Sequence, residues 1–327
     1  MHFPRLTSCR VLAFLFLLAP AARPAWADYA GPAAGQKVAF LGDSITQFGL
    51  QPGGYVNLVA NGLKGIGKPV TVIPAGVSGN TSNDMLARLK RDVLDKKPDW
   101  MTLSCGVNDV WHGANGVALE PYKTNITSIV DQATAAGIKV VILTATMIHE
   151  NPADPLNQQL IPYNDFLRQL ATQRHLILAD LNADMQDELA KRKAADPSLK
   201  GNILTVDGVH MNGFGNQMMA AGILKAFGVT EQQLAQVKSA WNDLPGAVVL
   251  DVKVSLSIND YLKLQSAAAG ENKPVDQVLS SEVTRDVENR LKSGAPITPP
   301  TPGGQALSGP IVDLRPRSKK KCLAGRM

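Results

Sequence analysis

Cysteine and long apolar runs are both scarce in this sequence of 327 residues. The three cysteines lie far apart, with Cys9 near the start, Cys105 in an apolar segment and Cys322 in a polar one, so no disulfide framework is expected. No segment reaches the roughly 20 consecutive apolar residues that a membrane-spanning helix requires. The sequence therefore predicts a protein without a membrane span that is stabilised by a buried core.

The amino-terminal segment has the layout of a secretory signal peptide. Residues 1–27 contain arginines and no acidic residue, and an apolar stretch from Val11 to Ala22 precedes the small residues Ala25 and Ala27. This layout predicts cleavage after Ala27 and export to the periplasm or the cell exterior. The alternative is an anchor that is never cut, but the small residues favour cleavage.

The basic residues that give the chain its formal net charge of +5 are concentrated at its two ends. Arginines lie in residues 1–27, and lysines and arginines recur in residues 314–327. Between these segments acidic residues outnumber basic ones. The charge therefore does not predict nucleic-acid binding, and no nucleic-acid partner is expected.

Short apolar runs alternate with helical patterns from Lys37 to Phe227. Runs that are apolar on both faces are typical of strands in a parallel sheet covered by helices. The alternation predicts an α/β fold, a three-layer αβα sandwich with a five-stranded parallel sheet. The predicted strands are residues 38–41, 70–73, 101–104, 140–143 and 176–178.

The pattern changes after Gly228. Residues 250–258 alternate between apolar and polar, which predicts a half-buried strand. A helix that Asn259 is expected to cap and a second helix beginning at Pro274 follow. The predicted parts of the chain are a signal peptide (1–27), the α/β domain (28–228), a strand-helix-helix extension (229–293) and a Pro/Gly-rich, then basic, disordered tail (294–327).

A serine follows the first predicted strand, in the segment Gly42-Asp43-Ser44. Open parallel sheets bind their ligands outside the carboxyl ends of the strands. A serine hydroxyl attacks a carbonyl only when a neutral imidazole takes its proton and an acid orients that imidazole. Taken alone, the tripeptide is more typical of an ordinary turn.

Asp207 and His210 lie in a polar loop near the end of the α/β region and have the residue types of such an acid and base. The Asp207 carboxylate, three residues before the histidine, is able to turn back to its ring. The same spacing is compatible with a helix cap and a surface histidine. Of the other histidines of the α/β domain, His149 and His175 have no acid three positions before them, whereas His112 follows Asp109 at this spacing.

Two further polar loops follow the second and third predicted strands, at Gly79 and at Asn108. Acyl transfer needs hydrogen-bond donors for an oxyanion, and the backbone N–H groups of Ser44 and Gly79 with the Asn108 amide would supply three. Asp43 and Asp109, beside these groups, are predicted to hold their loops by hydrogen bonds. Each loop alone is an ordinary turn, but together they supply every part of one mechanism in order.

These four segments resemble the four sequence blocks of the SGNH (GDSL-type) hydrolase superfamily. Ser44, Gly79, Asn108 and His210 match the Ser, Gly, Asn and His of its name. The resemblance implies the flavodoxin-like SGNH fold without metal or other cofactor. It also implies a triad of Ser44, Asp207 and His210 and an oxyanion hole of Ser44, Gly79 and Asn108.

The resemblance covers about residues 36–228 and implies a serine esterase that forms an acyl-enzyme on Ser44. Exported members of the superfamily often remove acetyl groups from polysaccharides, so small acyl esters of carbohydrates are the preferred substrates. Trp111 and His112, just beyond Asn108, are predicted to contact the sugar, although Trp111 fits core packing equally well. The alternatives are a lipid or aryl esterase, an O-acyltransferase with the same triad, and a non-catalytic envelope binding protein.

Residues 250–291 weakly resemble a ribbon-helix-helix module, a fold that pairs as a dimer through its strand. Lys253 is the one basic residue on the polar face of the predicted strand, and the chain is expected to be exported. A homodimer, or packing against the hydrolase domain, is therefore preferred to DNA binding.

Overall fold

The computed structural model describes residues 29–199, 201–242, 244, 253–271, 273–294 and 311–313. The predicted signal peptide, residues 1–27, lies outside the described residues. Within the described part, none of the helices combines the length and the apolar character that a membrane span requires.

Five parallel strands form the central sheet, and each overlaps its predicted run. They are β1 (Lys37–Gly42), β2 (Thr71–Gly76), β3 (Trp100–Ser104), β4 (Lys139–Leu143) and β5 (Ile177–Ala179). Their order in the sheet is β2-β1-β3-β4-β5. Strand β2 therefore lies on one side of β1, and β3 lies on the other side. In such a sheet ligands bind in the crevice at this switch point, between β1 and β3.

Helices cover both faces of the sheet and complete the three layers. They are α1 (Ser44–Phe48), α2 (Tyr55–Gly65), α3 (Ser82–Asp92), α4 (Val107–Trp111), α5 (Leu119–Ala135), α6 (Pro155–Gln173), α7 (Leu181–Ala195), α8 (Gly213–Ala226) and α9 (Glu231–Asn242). Helix α2 packs against α8 and α9, whereas α5 packs against α3 and α6. Crossovers between parallel strands are right-handed, and the β1–β2 connection crosses the sheet in the direction opposite to the later connections. The helices packed around α2 and those packed around α5 therefore lie on opposite faces of the sheet. The predicted fold class is confirmed.

The centre of the sheet is buried from both sides. Residues 38–41 of β1 are all fully buried. Phe40 packs edge-to-face on Tyr55 of α2, with ring centroids 6.3 Å apart, and Trp100 packs on Phe227 at 5.6 Å. A strand covered on both faces has no polar alternation, which is why the apolar runs located the strands.

Helix α9 extends this packed body beyond the predicted boundary at Gly228. Leu234, Val237 and Trp241 are buried. The indole Nε1 of Trp241 donates a hydrogen bond of 3.1 Å to the Leu58 carbonyl of α2. Because this apolar face is covered by α2 and α8, the body continues to residue 242.

The extension contains a strand and two helices, with limits that differ from the predicted ones. They are β6 (Lys253–Ser255), α10 (Ile258–Gly270) and α11 (Val275–Ser293). The cap of α10 is Ser257, not Asn259, because the Ser257 hydroxyl accepts a hydrogen bond of 3.1 Å from the Asp260 N–H. Ile258, which the alternation placed in the strand, therefore begins the helix. Residues 250–252 of the predicted strand lie outside the described residues.

A short strand lies within the segment that composition predicts to be disordered. Strand β7 (Ile311–Asp313) pairs antiparallel with β6. Pairing with a distant strand is a tertiary interaction that the Pro/Gly content does not reveal, so the prediction of disorder is wrong for these residues. The rest of the predicted tail, residues 295–310 and 314–327, lies outside the described residues.

Replacing Trp241 by alanine is expected to lower the free energy of unfolding by about 3–5 kcal/mol, because it removes a buried ring together with its hydrogen bond. Urea unfolding followed by circular dichroism measures the change. Lys238→Ala, on the exposed side of α9, is the control and should change the same quantity by less than about 0.5 kcal/mol. An equally small effect of Trp241→Ala would mean that α9 does not belong to the cooperatively folded body.

Candidate active site

Ser44 is the first residue of α1 and follows β1 directly. Asp43 caps this helix, and its side chain accepts a hydrogen bond of 2.9 Å from the Ile45 N–H. Gly42 permits the sharp turn, because a Cβ at this position would lie only 2.0 Å from Thr46 Oγ1. The serine is thereby held at the carboxyl end of the strand that borders the switch point.

Ser44, His210 and Asp207 form a continuous chain of hydrogen bonds. Ser44 Oγ lies 2.9 Å from His210 Nε2, and His210 Nδ1 lies 2.8 Å from Asp207 Oδ2. The other carboxylate oxygen of Asp207 accepts from the backbone N–H groups of Val209 at 3.1 Å and His210 at 2.9 Å. In this geometry an oriented imidazole is able to take the proton of the serine hydroxyl.

The charge of Asp207 determines which ring nitrogen of His210 carries the proton. Partial burial raises the pKa of Asp207, but hydrogen bonds from the His210 ring and backbone outweigh burial and lower the pKa to about 2. The carboxylate is thus ionised at neutral pH. When the imidazole is neutral, its one proton lies on Nδ1, which donates a hydrogen bond to this carboxylate. The Nε2 atom, which faces Ser44, is then the acceptor.

Hydrogen-bond donors also lie in the loops that follow β2 and β3, the strands on either side of β1. Gly79 has a φ of +78°, a left-handed conformation that glycine adopts without strain. Asn108 donates one amide hydrogen to the Asn80 carbonyl at 3.0 Å, which leaves the second hydrogen for a substrate oxygen. The backbone N–H groups of Ser44 and Gly79 meet no acceptor among the residues that the structure describes. These groups are donors of the kind that an oxyanion requires.

Arg88 of α3 holds the Gly79 loop, although no sequence pattern singled it out. Its buried guanidinium donates to the carbonyl groups of Gly42 at 2.8 Å and Ala75 at 2.9 Å, near the ends of β1 and β2. It also donates to the side chain of Asn80 at 2.6 Å. An arginine on an amphipathic helix is ordinarily exposed, so the sequence carried no signal for this role.

Asp109 connects the Asn108 helix to the start of α3. Its Oδ1 accepts from the Ser82 N–H at 2.9 Å and its Oδ2 accepts from the Cys105 thiol at 3.4 Å. Burial raises the pKa of Asp109. The prediction that Asp43 and Asp109 hold loops by hydrogen bonds is confirmed.

Glu150, in the segment after β4, holds the loop that carries the triad acid. Its buried carboxylate accepts from the backbone N–H groups of Ile203, Leu204 and Thr205 and from the Thr205 hydroxyl, at 2.5–2.7 Å. The Thr205 hydroxyl oxygen in turn accepts from the Gly208 N–H at 3.1 Å. A lone glutamate in a loop forms no recognisable pattern, so sequence reasoning missed it.

The two residues predicted to contact substrate, Trp111 and His112, both lie on the surface at the end of α4. Trp111 is 39% exposed, so it is not a core residue. Its ring centroid lies 5.8 Å from that of His149. His112 is also exposed, and within the described residues its side chain makes no hydrogen bond to the triad.

The fold and the Ser44–His210–Asp207 chain define a class of hydrolases that carry a serine, a histidine and an acid at the carboxyl edge of a parallel sheet. The sequence profile of the GDSL-like lipase/acylhydrolase family matches residues 40–218. The chain belongs to this family, within the SGNH hydrolase superfamily, and is an ester hydrolase.

Similar proteins cover the α/β body. An acetylxylan esterase of Geobacillus stearothermophilus is 28% identical over 214 residues, which span 59% of this chain and 94% of that protein. The crystal structure of the acetyl xylan esterase AlAXEase matches with a TM-score of 0.55 and 33% identity, over 58% of this chain and 98% of that one. The uncharacterised lipoprotein YqeF of Bacillus subtilis is 24% identical over 187 residues, 48% of this chain and 75% of that protein.

Thr205→Val removes the hydroxyl that joins Glu150 to the Gly208 N–H while nearly preserving the side-chain shape. We expect the kcat for p-nitrophenyl acetate to fall roughly 10- to 100-fold with little change in KM, because a displaced acid loop misaligns the imidazole. Thr205→Ser keeps the hydroxyl and is the matched control, with most of the activity retained. Equal kcat values for the two variants would show that this hydroxyl does not position the loop.

Asp43→Asn tests the buried carboxyl that caps the nucleophile helix. Burial, partly offset by the Ile45 N–H and by His210, raises the pKa of Asp43 from 3.8 to about 6. The folded protein therefore holds this proton to higher pH than the unfolded chain, and its stabilising contribution is lost as pH rises from about 4 to about 6.

Asparagine keeps the acceptor for the helix cap but does not titrate. The free energy of unfolding of Asp43→Asn, relative to the native protein, should therefore rise by about 2 kcal/mol between pH 4 and pH 7. Urea unfolding at pH 4, 5, 6 and 7 measures this difference. A difference independent of pH would contradict the raised pKa.

Proposed function

We propose that this ester hydrolase is a serine esterase that removes small acyl groups, acetyl above all, from carbohydrates through an acyl-enzyme on Ser44. The observation that carries the proposal is the hydrogen-bonded chain from Ser44 Oγ to His210 Nε2 (2.9 Å) and from His210 Nδ1 to Asp207 (2.8 Å). The donors in the loops of Gly79 and Asn108, after the strands that flank β1, support the proposal as well.

In the proposed acylation step, His210 Nε2 takes the hydroxyl proton as Ser44 Oγ attacks the ester carbonyl carbon. The carbonyl oxygen becomes an oxyanion and accepts hydrogen bonds from the N–H groups of Ser44 and Gly79 and from the Asn108 amide. Asp207, already ionised, stabilises the imidazolium that forms. The intermediate then breaks the bond to the alcohol, which leaves with the proton from His210.

In the second half of the reaction, water replaces the alcohol. His210 takes a proton from this water as its oxygen attacks the acyl-enzyme, and the same donors stabilise the second oxyanion. The proton returns to Ser44 Oγ as the carboxylic acid departs. Each half therefore uses the same three side chains, and no proton is gained or lost by the enzyme over the cycle.

Two observations support a carbohydrate ester as substrate. Similar proteins include acetylxylan esterases, which places esters of sugars among the substrates of related chains. Trp111, beside the Asn108 helix, exposes a ring of the kind that packs on the apolar face of a sugar, and His112 next to it offers a polar edge.

Exposure of the triad favours hydrolysis over transfer of the acyl group to a sugar alcohol. The side chain of His210 is 27% exposed and that of Asp207 is 47% exposed, so water reaches the acyl-enzyme readily. A transferase has to exclude water from this intermediate. Lipid and aryl esters use the same triad and remain the alternative substrates, and the complete hydrogen-bonded chain opposes a non-catalytic binding role.

Export by the first 27 residues and action in the periplasm or outside the cell are part of the proposal. A lipoprotein among the similar proteins supports an extracytoplasmic location. A homodimer formed through residues 250–291 stays a prediction.

Ser44→Ala is expected to lower the kcat for p-nitrophenyl acetate by at least about 10³-fold, because the nucleophile is lost. Asn108→Ala, which removes one oxyanion donor, should lower kcat by roughly 10²- to 10³-fold. Release of p-nitrophenol is followed by absorbance, and Ser281→Ala, an exposed serine on α11, is the control with unchanged turnover. Unchanged turnover in Ser44→Ala would contradict the proposed function.

The same assay with acetyl, butyryl and octanoyl esters measures the preference for small acyl groups. A serine-directed phosphonate that adds to the native protein and not to Ser44→Ala, as read by mass spectrometry, would identify the acylated atom. Release of acetate from acetylated xylan would support the carbohydrate substrate, whereas a preference for octanoyl esters would move the assignment to lipids.

A further inference from the structure

A second histidine–aspartate pair lies beside the catalytic loop and takes no part in the triad. His149 Nδ1 lies 2.9 Å from Asp154 Oδ2, and the His149 ring packs against Trp111 with centroids 5.8 Å apart. We propose that Trp111 and His149 form a subsite for the sugar ring whose acyl group is attacked by Ser44, and that His149 Nε2 hydrogen-bonds a hydroxyl of that ring. This inference rests on the proposed function.

The backbone of His149 ties the pair to the catalytic loop. Its φ of +60° lies in the left-handed region, which carries a conformational cost for a residue other than glycine. The His149 N–H donates a hydrogen bond of 2.7 Å to the Gly208 carbonyl, between the triad residues Asp207 and His210. The segment after β4 is therefore held against the loop that carries Asp207 and His210.

The His149 ring is fixed between the catalytic loop and Asp154. A Cβ at Gly208 would lie 2.9 Å from His149 Cδ2, so the ring packs on Gly208 through its Cδ2 atom. The opposite edge faces Asp154, whose pKa is lowered by the hydrogen bond to His149. When the ring is neutral, its one proton lies on Nδ1, which donates to the charged carboxylate. The other nitrogen, Nε2, is then a hydrogen-bond acceptor. The side chain is 49% exposed and thus accessible to a solute.

Trp111 supplies an apolar surface on the other side of the subsite. It lies three residues after Asn108 on α4, a spacing that puts both side chains on one face of the helix. Contact between Trp111 and His149 therefore joins the helix that carries Asn108 to the segment after β4, which is itself hydrogen-bonded to the loop of the triad base. An aromatic face beside a fixed polar nitrogen matches a sugar ring, which has apolar C–H faces and hydroxyl groups at its edge.

The test compares an acetylated xylo-oligosaccharide, which has sugar rings, with p-nitrophenyl acetate, which has none. His149→Asn removes the ring but keeps a side chain that tolerates the left-handed backbone and is able to bind Asp154. Trp111→Leu removes the aromatic face, and Trp111→Phe retains one. His175→Asn is the matched control, because His175 is also an exposed histidine with a positive φ, of +52°, at the opposite end of the sheet before β5.

The expected result is a change in KM for the sugar ester. In His149→Asn and in Trp111→Leu, KM for the xylo-oligosaccharide should rise about tenfold with kcat within about twofold. The ratio of kcat/KM for the sugar ester to that for p-nitrophenyl acetate should fall by about the same factor. Trp111→Phe should recover most of this ratio, and His175→Asn should leave it unchanged.

Equal losses on the two esters would show that Trp111 and His149 only support the site geometry, and would overturn the subsite. An unchanged KM for the sugar ester, or hydrolysis of p-nitrophenyl acetate without hydrolysis of the sugar ester, would overturn it as well. Failure of the proposed function is a separate result, because it appears in the native protein, as hydrolysis that does not depend on Ser44 or as a sugar ester left intact, whereas failure of the subsite alone appears in the variants.

Binding to Ser44→Ala protein tests the subsite without turnover. Isothermal titration with the acetylated xylo-oligosaccharide should give a Kd about tenfold higher when His149→Asn is added to Ser44→Ala. The same Kd in both proteins would overturn the subsite whatever the outcome of the kinetic assay.

Discussion

The position of β1 and β3 at the switch point of the sheet is the constraint on which the site depends. Right-handed crossovers carry the chain to one side of β1 and then to the other, so the carboxyl ends of these two strands border one crevice. Ser44 follows β1 and Asn108 begins the helix after β3. Gly42 makes this possible because Thr46 and the Ser104 carbonyl approach too closely for any side chain there.

Buried charged side chains hold the loops at this edge, where the sheet itself offers no further partners. Arg88 binds the strand-end carbonyls, Asp109 binds the start of α3, and Glu150 binds the backbone before Thr205. Each charge binds backbone groups of these loops or strand ends directly, and charge-assisted hydrogen bonds of this kind are stronger than neutral ones. The loops of the site are thus held by polar contacts, whereas the strands are also held by apolar packing.

Elements whose pattern is local could be predicted, and elements that depend on a distant partner could not. The five apolar runs located the strands because burial on both faces leaves no polar alternation. The boundary at Gly228 was too early because α9 packs on α2, and that contact joins residues 183 positions apart, as between Trp241 and Leu58. Strand β7 was missed for the same reason, since its partner β6 lies far away in the chain.

The sequence by itself determined the family, the α/β order of elements and the residue types of the site, because these follow from local periodicity and from short motifs at strand ends. It favoured His210 as the base, but it did not show the contact between that histidine and the serine. Both His210 and His149 pair with an aspartate, at 2.8 Å and 2.9 Å, and it is His210 that lies against Ser44. That contact belongs to the tertiary structure, because it joins residues 166 positions apart and exists only when the whole sheet has formed between them.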